Sequence, residues 1–94
     1  IVIKEVAYMP TICIFRGIKI YMNWREHQPP HFHAKYGGEE VVIGINDAEV
    51  LEGSIPSKQL KLLLGWTVLH QDELMDNWKL AEQKQDLFQI EPLK

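Results

Sequence analysis

His31-Phe32-His33-Ala34-Lys35-Tyr36, then Gly37-Gly38, then Glu39-Glu40-Val41-Val42-Ile43-Gly44-Ile45, is the stretch from which the fold can be read. In an extended chain, alternate side chains point to opposite faces. His31 and His33 then share one face, about 7 Å apart along the strand, while Phe32 faces the other way and can anchor the strand in a core. Gly37-Gly38 is a tight hairpin signal. The run Glu40 to Ile45 has little polar interruption, as expected of an inner strand. A strand, hairpin and strand over 31–45 therefore form the nucleus of an antiparallel sheet.

The same patterning continues to either side. Thr11-Ile12-Cys13-Ile14-Phe15 reads as a short buried strand. It is punctuated by Arg16-Gly17, where glycine can take φ > 0. Ile18, Ile20 and Met22 recur at strand period. Asn23 to Pro30 is a loop leading into the histidines, and Pro29-Pro30 should make it stiff and extended. Asn46-Asp47 turns the chain, and Glu49 to Glu52 runs back as far as Gly53. Residues 1–8 are either an added strand or an upstream extension.

The period changes after Pro56. Ser57 can cap a helix, and Leu60, Leu63, Leu64, Thr67 and Val68 follow helical spacing. Asp72 and Glu73 suit the first turn of a second helix, with Leu74, Trp78 and Ala81 on its inner face. One kinked helix over 58–84 and two separate helices both fit; a break near His70-Gln71 is the preferred reading. Leu87, Phe88 and Ile90 are expected to fold the tail back, and Trp24, Trp66 and Trp78 to be core or interface anchors. The fold class is therefore α+β: an antiparallel meander of four or five short strands, then a C-terminal helical segment packed on one face.

Composition sets the outer bounds. Ninety-four residues make a single domain, 46% hydrophobic and 24% charged, with net charge −3. A chain this short buries only roughly 60–65% of its unfolded surface, so a partner would add to its stability. Up to Pro56 there are five positive and seven negative side chains, and from Ser57 five and six. Neither half is drawn to nucleic acid or to an anionic membrane. The second helix, carrying Asp72, Glu73, Asp76 and Glu82 against Lys79 and Lys84, is a poor DNA-recognition helix. No run approaches the ~18 apolar residues of a membrane span. The start lacks the basic and apolar regions of a signal peptide, so the chain reads as cytoplasmic. Cys13, the single cysteine, lies in an apolar run and reads as an inert buried thiol.

Three of the four histidines, His27, His31 and His33, fall within seven residues. Such a cluster can be structural or partner-binding, can hold a metal, or can serve as general acid and base, with His31 and His33 the candidates for that role. For metal, His27 would have to fold back across the prolines. Lacking a fourth protein ligand, the set predicts no tightly held ion, and no other cofactor is called for. Glu39 or Glu40 could supply a carboxylate, although solvated hairpin charges are the commoner outcome. A second grouping, Arg25 with His31, His33 and Tyr36, could bind an anion. Its weakness is parity, because Tyr36 shares no face with either histidine on a regular strand.

Met9-Pro10-Thr11-Ile12, then His27-x-Pro29-Pro30-His31-Phe32-His33-Ala34-x-Tyr36-Gly37-Gly38, then Val50-Leu51-Glu52-Gly53-x-Ile55-Pro56 resembles a widespread small prokaryotic family, Domain of Unknown Function 4160. Trp66, His70, Glu73, Leu74, Asn77 and Trp78 resemble that family's tail, so the likeness covers about residues 9–92. It implies a small cytoplasmic protein, often encoded beside another small protein in toxin–antitoxin-like pairing. It implies no catalytic residues. Two functions are compatible with all of this. One is a regulatory interaction module that binds a small protein partner or a second copy of itself through the histidine loop. The other is a small histidine-dependent hydrolase or nuclease.

Overall fold

The computed structural model describes residues 9–94. The expectations for residues 1–8 lie outside them. Among the described residues, five strands form one antiparallel sheet in sequence order: β1 (Thr11–Phe15), β2 (Ile18–Tyr21), β3 (His31–Tyr36), β4 (Glu39–Gly44) and β5 (Glu49–Gly53). Two helices follow, α1 (Ser57–Leu69) and α2 (Gln71–Glu82), so the fold is α+β and the helical segment is broken at His70.

Local chemistry explains two of the turns. Arg16 and Gly17 both take positive φ, +48° and +78°, the backbone twist that two-residue hairpins favour. The central hairpin closes with Tyr36 opposite Glu39, and Gly37 has φ +59°. Register then carries the pattern across the sheet. Phe32 pairs with Ile43 and Ala34 with Val41 and Ile20, and all five are fully buried. A slip of one residue would turn this set outward, so burial of one face pins the register.

The core joins that face to the helices. Trp66 of α1 lies against Phe15 and Phe32, with ring centroids at 5.8 and 5.9 Å. The tail returns over the sheet: Ile90 N–H donates to the Ile12 carbonyl at 2.9 Å, and Trp66 Nε1–H donates to Glu91 O at 2.8 Å. Ile90 is buried and Leu87 packs against the core, while Phe88 stays 38% exposed. Trp66 and Trp78 are core residues and Trp24 is half-buried.

Two helix details differ from the sequence reading. Pro56, not Ser57, is the N-cap of α1, and its carbonyl accepts the N–H of Leu60 at 2.9 Å. Ser57 is the first helical residue and makes no capping bond. The buried stripe is Leu63, Trp66 and Thr67, while Val68 is 59% exposed. Leu60 and Leu64 are half-buried and pack against the core beside this stripe, so of the expected inner positions Val68 alone falls outside, and Trp66 joins the face. Among the described residues no helix is long and apolar enough to cross a membrane.

Candidate functional site

The strand face opposite Phe32 carries the chemistry. His31 and His33 project from β3 on that face, as their spacing requires, with ring centroids 5.3 Å apart. Tyr21 closes β2 directly across from His33 and stacks on its ring at 5.1 Å with a 16° interplanar angle. Glu40 of β4 shares the face. It accepts the Tyr21 hydroxyl at 2.6 Å, and its other oxygen lies 3.6 Å from His33 Nδ1. On the far side, Trp78 of α2 lies against His31 at 5.2 Å.

The loop between β2 and β3 completes the arrangement with Glu26. Its Oε1 is 2.5 Å from His33 Nε2, and its Oε2 is 3.5 Å from His31 Nε2. Asn23 Nδ2 donates to the same Oε1 at 2.7 Å. One ligand atom from each of Glu26, His31 and His33 falls within 4.8 Å of the other two. Burial pushes the Glu26 carboxyl up. The His33 hydrogen bond and charge, the Asn23 bond and the charge of His31 outweigh it and hold the carboxyl below its ordinary value. Burial, then the Glu40 carboxylate, then Glu26 push the Tyr21 phenol well above its ordinary value.

The loop is fastened at several points. Trp24 Nε1–H donates to Gln85 O, Arg25 N–H to Ala81 O, and Gln28 Nε2 to Glu82 Oε2, which ties it to the end of α2. Ile45 N–H donates to Pro30 O at 3.0 Å, tying it to the end of β4. His31 Nδ1–H donates to the Pro29 carbonyl at 2.7 Å. That bond needs a proton on Nδ1 and leaves Nε2 as the ring nitrogen that points to Glu26.

The residues singled out from sequence therefore separate. His31 and His33 converge as expected. His27 is exposed and does not join them; Arg25 at φ +54° turns the chain so that Glu26 faces inward instead. The anion grouping is not assembled. Arg25 is exposed at the surface, and Tyr36 lies at the other end of β3, where its ring abuts Gly17. Odd-to-even spacing on a strand puts Tyr36 on the face of Phe32. Sequence reasoning missed Glu26. The available signal was Asn23-x-x-Glu26, an amide and a carboxylate one turn apart in the loop that precedes the histidines.

A family model described as a domain of unknown function (DUF4160) matches residues 17–79. The chain belongs to that family. The DUF4160 match takes in β2 to β5, α1 and most of α2, and with them Tyr21, Glu26, His31, His33, Glu40 and Trp78. It is narrower than the resemblance over 9–92, leaving β1 and the tail outside. No curated protein and no solved structure matches the chain.

Proposed function

We propose that this DUF4160 chain is a small regulatory interaction module, one half of a toxin–antitoxin-like pair, that binds its small protein partner at β5 and the adjoining histidine loop. The observation that carries the reading is the state of β5. Among the described residues it pairs with β4 alone, every one of its residues is exposed, and Val50 and Leu51 are 40% and 48% exposed. A free edge offers unpaired backbone donors and acceptors to an incoming strand. Pro29, Pro30, Gly44, Glu49 and Leu51 line one recess, which joins that edge to the histidine loop. Since Glu26, His31 and His33 face inward, the loop's recognition surface is Arg25 with His27, Gln28 and Pro29. Glu49 and Glu52 favour a partner strand with basic side chains.

Co-expression with the product of the adjacent gene tests this. The partner should co-purify with the wild-type chain and be lost from Leu51→Lys, with the variant's fold verified by circular dichroism. If neither a partner nor self-association appears at micromolar concentration, the reading fails.

The convergence of Glu26, His31 and His33 favours a second reading, a hydrolase or nuclease with His31 or His33 as acid and base. RNA and phosphoester substrates, with and without added metal, test it. Activity that survives replacement of both histidines would end it.

A further inference from the structure

We propose that Glu26, His31 and His33 form a binding site for a divalent first-row transition metal, Zn²⁺ in particular, with one coordination position left to water. This differs from the sequence-based expectation of no tightly held metal, because that expectation used His27 where the fold supplies Glu26. It is independent of partner binding at β5.

The donor set is the first support. Two imidazoles and one carboxylate are a known three-ligand set for zinc with an open position. Ligand bonds of about 2.0–2.2 Å in tetrahedral geometry put ligand atoms roughly 3.3 Å apart. His31 Nε2 and Glu26 Oε2 already stand at 3.5 Å. The 2.5 Å contact between His33 Nε2 and Glu26 Oε1 has to widen, by somewhat under ~1 Å, as the ion takes the place of the shared proton, and one ligand atom from each of the three residues lies within 4.8 Å of the others.

The surroundings are the second support. A metal-bound histidine ordinarily donates its other ring N–H to a carbonyl or carboxylate. His31 Nδ1–H already donates to Pro29 O. With zinc on Nε2, neutral His33 keeps its one proton on Nδ1, which faces Glu40 Oε2 at 3.6 Å. Glu40 is in turn held by the Tyr21 hydroxyl.

The third support is where unsatisfied polar atoms fall. Among the described residues, the buried side-chain polar atoms without a hydrogen-bond partner are Asn23 Oδ1, His33 Nδ1 and Trp78 Nε1. All three belong to this one cluster: Asn23 bonds Glu26, His33 is a proposed ligand, and Trp78 covers His31. Buried orphan groups are rare in folded proteins, and a bound ion or ordered water commonly satisfies those that occur. A zinc-bound water can donate to an acceptor such as Asn23 Oδ1 and accept from a donor such as Trp78 Nε1–H, and zinc on His33 Nε2 fixes the ring proton on Nδ1.

The test uses the full chain purified without an affinity tag and stripped with chelator. Calorimetric titration with ZnCl₂ should give one site per chain. Bound Co²⁺ should show d–d absorption without thiolate charge transfer. Glu26→Gln and His31→Ala should each weaken binding by at least about tenfold, and Glu40→Gln by about tenfold through His33. His27→Ala should bind as the wild type does. Melting curves of the stripped variants establish that they fold, and the cobalt spectrum of the wild type needs no variant. Absence of saturable binding by the wild type, or full-strength binding by Glu26→Gln and His31→Ala, would overturn the proposal and leave a structural clasp.

Discussion

Asn77 holds Phe88 by both backbone groups: its Nδ2 donates to the Phe88 carbonyl, and its Oδ1 accepts the Phe88 N–H, each at 3.0 Å. Asn77 is fully buried on α2, and the pair bolts the returning tail to that helix. The tail in turn covers the edge of β1 through Ile90 and Ile12. Asn77→Ala would leave both Phe88 groups without partners in a partly buried site, which costs about 1–3 kcal/mol per buried group. We expect a loss of about 2–3 kcal/mol in urea denaturation. A change under about 0.5 kcal/mol would mean that water replaces the asparagine without penalty.

Cys13 gives a reactivity prediction. It is 2% exposed, and burial first, then the nearby Glu91 carboxylate, raise its pKa from 9.0 to about 11. The neutral thiol is the favoured folded form. Its stabilising contribution is therefore complete below pH 9.0 and is lost as pH rises through about 11. At pH 8, a shift of that size reduces the thiolate fraction by roughly a hundredfold. Alkylation by iodoacetamide at pH 8 should be slow in the native chain and fast in denaturant. Equal rates in the two states would contradict the burial.

The backbone of the fold was legible in sequence because its signals are local. Alternation around Phe32, the glycines of the Arg16-Gly17 and Gly37-Gly38 turns, and the acidic first turn of α2 after His70 each report on a few neighbouring residues. Helical spacing found most of the inner face of α1, with Leu63 and Thr67 buried and Leu60 and Leu64 against the core, but it placed the exposed Val68 there and did not place Trp66 on that face. At the site, His31 and His33 could be paired because strand parity is a fixed geometry. Glu26 could not, because its placement depends on the path of an irregular loop. A left-handed Arg25 reverses which of Glu26 and His27 faces inward, and α2 fastens that path from far along the chain.

Gly53 carries a steric prediction. It ends β5 with φ +76°, and a Cβ there would stand 2.3 Å from the Glu40 carbonyl oxygen, a backbone atom with no room to yield. Gly53→Ala combines left-handed strain with a backbone clash, each of about 1–3 kcal/mol. We expect a loss of about 2–4 kcal/mol in stability. Because Ser54 N–H donates to that same Glu40 carbonyl, the proposed partner edge should loosen too. Faster amide exchange at Ser54 would report it, and unchanged stability and exchange would refute it.

Gly65 should behave in the opposite sense. It is exposed within α1, its φ is not in the left-handed region, and a Cβ added there meets no atom within 4 Å. Glycine in a helix interior is less favourable than alanine by about 0.8–1.0 kcal/mol, through the extra freedom it gives the unfolded chain. Gly65→Ala should therefore stabilise the protein by about 0.5–1 kcal/mol. In a chain of this size, about 1 kcal/mol corresponds to roughly 4–8 °C in Tm. The denaturation midpoint should rise while the m-value stays constant, since neither state changes its exposed surface appreciably. A lower midpoint would refute the reading of Gly65 as an ordinary exposed helix-interior position.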